Sequence, residues 1–343
     1  MSESAFSLTG AEAFSEWLED QDLSIAFTTY QVGKLFLLGR TETGELSVFE
    51  RTFDRCMGLA VSGSRLWMSS KYQIWRFENF LDPGQSHDGF DRVFVPVSGH
   101  TTGDVDVHDI AVSPAGTPIF AVTRFNCLAT LSELGSFKPI WTPSFVDEIV
   151  AEDRCHLNGL AVDDKGAKFV TCIARTNSAD GWRDHRKDGG VLLDVASGET
   201  VARGLSMPHS PRLHAGRIWL LQAGTGEFGE IDLRTGLFAP VCFLPGFARG
   251  LAFVGDYAVI GLSRPRQSEI FHGLPLEHRM EMQGLAASCA ISVVSLKTGR
   301  EVARLEIEGI VQELYDVVLL PGVKRPQLVG FEGDEIRFLV RLT

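Results

Sequence analysis

The chain has 343 residues, 44% of them hydrophobic and 10% aromatic, with a net charge of −12. Those proportions belong to a chain that folds around apolar cores and exclude long disordered or fibrous segments. The acidic balance excludes an extended nucleic-acid surface, which needs a basic stripe, and disfavours an anionic membrane as partner.

Residues 11–19 (AEAFSEWLE) carry apolar positions at helical spacing and predict a short helix, read with residues 1–10 as an N-terminal extension. The extension is acidic and lacks a long apolar stretch, so it does not read as a secretory signal. From residue 20 to residue 343 the pattern is strand-like and free of linkers, which predicts a single domain. Strands are expected at 24–29, 34–39, 46–51, 65–69, 119–123, 168–172, 217–221, 257–262 and 327–331, with a last one at 335–341. Turn signals at SPAG (113–116), DDKG (163–166) and HAG (214–216) separate them. Gly224–Gly229 (GTGEFG) looks like a phosphate loop but precedes a strand, so it reads as a β-turn and no nucleotide cofactor is expected. The six cysteines show no CxxC spacing. They are expected to be free thiols in a reducing, cytoplasmic setting.

A short phrase recurs through this pattern. It reads CMGLAV at 56–61, VHDIAV at 107–112 and LNGLAV at 157–162. Weaker copies follow at 208–213 (PHSPRL), 248–253 (ARGLAF) and 314–319 (LYDVVL). A period near fifty residues, each holding about four short strands, is the mark of propeller blades stacked around a channel. The copies predict an all-β, six-bladed β-propeller closed by strands from both chain ends. The surplus terminal strands leave seven blades as the alternative.

The second position of the phrase varies most: Met57, His108, Asn158, His209, Arg249 and Tyr315. The first strand of a blade lines the channel, and side chains two apart on an extended segment point the same way. Arg55, Asp106, His156, Met207, Phe247 and Glu313 are therefore expected beside them. His108, His156 and His209 are the candidate ligands of a divalent transition metal (Zn, Cu, Fe or Ni) with one open position. Arg249 is expected to stabilise an anion, Tyr315 to transfer a proton, and Asp106 or Glu313 to orient a ligand. Asn158 completes the candidate catalytic set. Arg55, Tyr30, Lys71 and Arg264, on loops at the same end, are candidate substrate contacts. So are Arg175–Asn177, Gly181–Arg183 and the stretch Ser263–Arg266.

The segments TTYQVGKLFLLG, GDVDVHDIAV, AEDRCHLNGLAV, DGGVLLDVASGE, GLSMPHSPRLHAGRIWLL and LPGFARGLAFVGDYAVIGLSRPR resemble a bacterial family of uncharacterised proteins that overlaps the DUF4915 domain. The resemblance implies a propeller-like single domain and supplies no catalytic residues. Asn158-Gly159-Leu160-Ala161 is also similar to the metal-binding phrase of calcium-dependent lactonases of the gluconolactonase type. The imidazole-rich funnel departs from it, because calcium takes oxygen ligands. Six-bladed peptide-amidating lyases, with three His on zinc, offer an analogy in residue types.

Together these features predict a metal-dependent lyase, hydrolase or isomerase acting on a small polar metabolite or modified peptide in the channel. The alternative is a non-catalytic ligand- or protein-binding scaffold. Neither nucleic acid nor a membrane is expected as partner, and the oligomeric state stays open.

Overall fold

The sixth copy of the phrase closes a ring of six sheets. The computed structural model describes residues 6–265 and 272–340. Strand β1 (Phe6–Thr9) and helix α1 (Ala11–Asp20) precede β2 (Leu23–Thr29), β3 (Lys34–Arg40) and β4 (Leu46–Thr52). Next come β5 (Leu59–Ser62), β6 (Arg65–Ser69), β7 (Gln73–Asn79) and β8 (Arg92–Thr101). The third set is β9 (Val107–Val112), β10 (Pro118–Val122), β11 (Cys127–Thr130) and β12 (Lys138–Trp141). The fourth is β13 (Leu157–Asp163), β14 (Gly166–Cys172), β15 (Gly190–Asp194) and β16 (Thr200–Leu205). The fifth is β17 (Pro208–His214), β18 (Arg217–Gln222), β19 (Glu227–Asp232) and β20 (Leu237–Phe243). The sixth is β21 (Phe247–Val254), β22 (Tyr257–Ser263), β23 (Ala290–Ser295) and β24 (Arg300–Gly309), with helix α2 (Pro275–Gln283) between its middle strands. Strands β25 (Val317–Pro321) and β26 (Pro326–Leu328) end the chain.

Blade 1 has the order β25-β2-β3-β4, so the C-terminal phrase strand is its innermost member and the N-terminal strands are the rest. Blades 2 to 6 follow in sequence, each led by one copy of the phrase. The six-bladed expectation holds. The surplus strands build no seventh blade: β1 adds to the outer edge of blade 6, and β26 lies parallel to β8 on blade 2. The expected closure by 327–331 and 335–341 is corrected. β25 already fills the edge beside β2, so the later segment finds no inner partner. Asp334–Arg337 forms a short 3-10 helix instead, and residue 341 lies outside the described residues.

Apolar side chains bury between neighbouring blades. Ala60, Trp67 and Ile74 of blade 2 pack on Val107, Ile110 and Phe120 of blade 3. Ile119, Ala121 and Leu128 of blade 3 pack on Leu157, Leu160 and Val170 of blade 4. Helix α1 turns Phe14, Trp17 and Leu18 into the seam between blades 1 and 6, among Phe27, Phe36, Ile291 and Leu305. Each of the larger side chains contributes about 1.5–3 kcal/mol by leaving water, and each alanine less than about 1 kcal/mol.

Polar staples set the blades against one another near the axis. Hydroxyls at the ends of second strands donate to the carbonyl that begins the next blade. Ser69 Oγ reaches Val107 O at 3.1 Å, Thr123 Oγ1 reaches Leu157 O at 2.6 Å, and Ser263 Oγ reaches Leu314 O at 2.9 Å. Thr28 does the same to Met57 O. In blade 4 the role passes to Asn158, whose Nδ2 donates to Pro208 O at 3.0 Å while Thr171 Oγ1 donates to its Oδ1 at 2.8 Å.

The third position of the phrase alternates around the ring. Gly58, Gly159 and Gly250 stand in blades 2, 4 and 6, and Asp109, Ser210 and Asp316 in blades 3, 5 and 1. Each polar residue reaches a backbone N–H of the next blade. Leu160 donates to Asp109 at 3.0 Å, Gly250 to Ser210 at 3.0 Å and Leu59 to Asp316 at 2.8 Å. The glycines let adjacent backbones approach. A Cβ on Gly250, whose φ is +75°, would lie 2.7 Å from Val317 N. We expect Gly250→Ala to cost about 2–4 kcal/mol through strain and overpacking. At Gly103, also at positive φ but with open space around its Cβ site, alanine costs about 1 kcal/mol. Chemical denaturation of the two variants checks the contrast; equal costs would refute the steric account.

Candidate active site in the channel

Both aspartates of the Asp–Ser–Asp alternation also build a plug with Arg212. Arg212 of β17 is a bidentate partner of Asp109, with Nη1–Oδ2 at 2.8 Å and Nη2–Oδ1 at 3.1 Å, and its Nη2 lies 3.5 Å from Asp316 Oδ1. Both carboxylates are deeply buried. The plug stands between two spaces that share no lining residue. One is an open funnel of about 780 Å³, walled mainly by apolar residues of all six inner strands. The other is a polar cavity of about 10 Å³, lined by His108, Asn158, His209, Ser210, Arg249, Tyr315 and the two plug carboxylates. A space of that size accommodates one water-sized atom.

The expected funnel residues converge here in part. The His108 and His156 rings meet edge to face with centroids 4.8 Å apart, and His108 meets Tyr315 in the same way at 5.7 Å. The Arg249 guanidinium lies over Phe247 at 4.9 Å and over Tyr315 at 5.0 Å. Tyr30 stacks on Tyr315 at 5.9 Å. His209 packs against Phe247 at 5.6 Å.

Four of the six residues two before the variable positions do not sit on extended backbone, contrary to the strand-parity argument, whereas Phe247 lies within β21. Arg55, Asp106, His156 and Met207 have φ of 47°, 60°, 51° and 46°, and each precedes its strand. A non-glycine residue in this region costs about 1–3 kcal/mol, and such strain gathers where side chains must be aimed. It aims them in different directions. Arg55 pairs with Asp104 and lies 3.7 Å from Asp106. His156 turns its Nδ1 to Asp153 Oδ2 at 2.8 Å, and the Trp182 Nε1–H donates to the same oxygen at 3.0 Å. Trp182 also covers the His156 ring at 4.2 Å.

Other expected residues are placed elsewhere or already engaged. Asn158 lines the cavity, but both ends of its amide are spent on the staple. Lys71 lies over the Tyr72 ring, 3.9 Å from Asp54. Glu313 is buried, and both it and Arg264 act electrostatically on the Cys289 thiol of blade 6. Arg266 lies outside the described residues. Asp153 and Thr123 were missed, although Asp153 stands three residues before His156 and Thr123 ends an expected strand.

The imidazoles are set by their Nδ1 atoms. His108 Nδ1 lies 2.8 Å from Thr123 Oγ1 and 3.1 Å from Asp106 O, and His209 Nδ1 lies 2.8 Å from Met207 O. Thr123 Oγ1 already donates to Leu157 O, and a carbonyl can only accept, so each Nδ1 carries the hydrogen. Nε2 is therefore the acceptor in both rings when neutral. Burial, against a smaller opposing pull from Asp106, lowers His108 to about 4. Burial and then the Arg249 charge hold His209 well below the ordinary imidazole range. Burial pushes the Tyr315 phenol well above its usual range. Burial also pushes the Asp153 carboxyl up, but His156 and Trp182 outweigh it and keep it low. At neutral pH the cavity thus combines two neutral imidazoles, a neutral phenol and a guanidinium.

Three Nε2 acceptors would suit a transition metal, and His108, His156 and His209 carry that donor chemistry. Among the described residues, however, no group of three or more His, Cys, Asp or Glu side chains is arranged to hold a metal ion.

The model of a domain of unknown function, DUF4915, matches residues 12–329. The chain belongs to the DUF4915 family. No curated protein matches this DUF4915 chain. Among solved structures it is similar to a chain of a nidogen–laminin complex at 12% identity, covering 88% of this chain and 99% of that one, with a TM-score of 0.55. A protein of unknown function from Bacteroides caccae is similar at 11% identity, covering 87% and 98%, with a TM-score of 0.51. A catalytically inactive virginiamycin B lyase from Staphylococcus aureus, solved with quinupristin, aligns at 13% identity over 88% and 99% with a TM-score of 0.43. At these identities the first two likenesses speak for the fold alone. Among the described residues, no helix is long and apolar enough to cross a membrane.

Proposed function

We propose that this DUF4915 propeller is a proton-transfer enzyme, of lyase, isomerase or hydrolase type, acting on a small polar metabolite at the polar mouth of its channel. The observation that carries the reading is the Asp153–His156 pair beside His108, Arg249 and Tyr315. A carboxylate fixed on Nδ1–H holds an imidazole in the tautomer that leaves Nε2 to take a proton. His108, held neutral, offers a second acceptor, and Tyr315 offers a hydroxyl for return of the proton. Arg249 supplies the fixed positive charge that steadies an oxyanion in a water-poor site. A static binding scaffold needs no carboxylate-backed imidazole.

The test is NMR of a mixture of small polar metabolites in heavy water. Wild type is expected to consume a component or exchange one of its carbon-bound hydrogens, and His156→Gln is expected to lose about 10²–10⁴-fold of that rate. A mixture left unchanged by wild type would leave the scaffold reading standing. A second reading, in which the imidazoles hold a divalent metal, has the anchoring of all three Nδ1 atoms on oxygens in its favour and requires the rings to draw together, since as placed they form no metal-holding group among the described residues. Stoichiometric Zn, Cu, Fe or Ni in tag-free protein, lost in a His108→Ala, His209→Ala double variant, would support it.

A further inference from the structure

We infer that the inner end of the polar cavity is a subsite for a 2-hydroxycarboxylate, whose carboxylate faces Arg249 and Tyr315 and whose hydroxyl faces His209. This rests on the proposed catalytic reading of the same site and adds its substrate class. The first observation is charge. Arg249 is 8% exposed, its Nε–H is buried without an acceptor, and no carboxylate among the described residues forms an ion pair with it. The neighbouring carboxylates are committed: Asp104 and Asp106 to Arg55, Asp153 to His156, Asp109 and Asp316 to Arg212. Burying a guanidinium without a counter-charge is costly, and a ligand anion removes that cost.

The second observation is hydrogen-bond parity. Arg249 Nε, Tyr315 Oη and His209 Nε2 are all buried without a partner, on residues that line the same cavity. Tyr315 and His209 are 5% and 4% exposed. Arg249 Nε–H and the Tyr315 hydroxyl donate. His209 Nε2 accepts, because its Nδ1–H is taken by Met207 O. Two donors and one acceptor ask for an acceptor-rich anion with a donor hydroxyl next to it; the space between them holds one water-sized atom, so seating that ligand requires the Arg249 and Tyr315 side chains to part. A bare carboxylate would face the His209 lone pair, and a neutral alcohol would leave Arg249 unpaired. The rings of Phe247 and Tyr315 on either side of the guanidinium leave its edge for the ligand.

The probes are glycolate, acetate and glycolamide, titrated calorimetrically at millimolar concentrations into the full chain. Glycolate is expected to bind at least about tenfold more tightly than acetate, with glycolamide undetected, since an unpaired buried polar group discriminates strongly. Arg249→Gln is expected to abolish binding of both acids. His209→Phe is expected to bring glycolate down to the acetate level without harming acetate. Arg217→Gln, at an exposed pair with Glu230 on β18, serves as the control for a lost surface charge. Thermal unfolding of each variant shows whether it is folded, and the three-probe ranking in wild type alone decides the case if one is not. Equal binding of glycolate and acetate, binding of glycolamide, or no binding of any probe would overturn the subsite. Glycolate preference without metabolite turnover would uphold the subsite and count against the catalytic reading.

Discussion

Replacing Arg212 by Leu is expected to destabilise the protein by about 3–5 kcal/mol, because removing one partner of a buried charge cluster strands the others. The stranded groups are Asp109 and Asp316, which also hold the inner strands of blades 4 and 2 through Leu160 N and Leu59 N. The wild-type cluster is already strained in charge, with two carboxylates to one guanidinium. Burial, opposed by Arg212 and reinforced by Asp109, pushes the Asp316 carboxyl up from 3.8 to about 7. The folded state therefore binds more protons than the unfolded state between those two values. Stability from this group is present below the unfolded value and is lost as pH rises through the window, at up to about 1.4 kcal/mol per pH unit. Without Arg212 the Asp316 carboxyl holds its proton more tightly. The cost of Arg212→Leu should therefore shrink between pH 8 and pH 5, and Asp316→Asn added to it should recover part of the loss. Urea denaturation at the two pH values measures this directly. A cost below about 1 kcal/mol, or one independent of pH, would mean that the cluster is not the tie described.

Asp153→Asn is expected to lower turnover by about 10²–10⁴-fold while leaving the fold intact, since an amide no longer enforces the His156 tautomer. Trp182→Phe, which removes one donor to the same carboxylate oxygen, should cost only about tenfold. The comparison is made on whichever metabolite wild type consumes, with unfolding midpoints measured in parallel. If Asp153→Asn lowers the midpoint and spares turnover, the pair is a structural tie and His156 is not the base.

The phrase made the ring legible because its second position faces the axis and is free to vary chemically. Its third position held equal information: Gly58, Asp109, Gly159, Ser210, Gly250 and Asp316 alternate in plain sight. That pattern means nothing until adjacent blades are known to pair, since the contact runs from one copy to the next across about fifty residues. The positive φ of Arg55, Asp106, His156 and Met207 was not legible, because Arg and Met rarely adopt it, Asp and His adopt it in only a minority of cases, and no glycine marks it. This is why His156 was expected to face its neighbours as a ligand and in fact turns toward Asp153. Ring closure was misassigned for a related reason. The alternating pattern of 335–341 is locally as good a strand as 317–321, and only occupancy of the β2 edge separates them.

The plug of Asp109, Arg212 and Asp316 makes the polar chamber a cul-de-sac. Among the described residues, the funnel beyond the plug shares no wall with this chamber and offers what reaches His209 no second door. On the proposed catalytic reading, product must clear the mouth before another substrate molecule can follow. Products and inert acids lodged against Arg249 should therefore compete with substrate for one path, and no long polymer can be threaded through the axis of the ring.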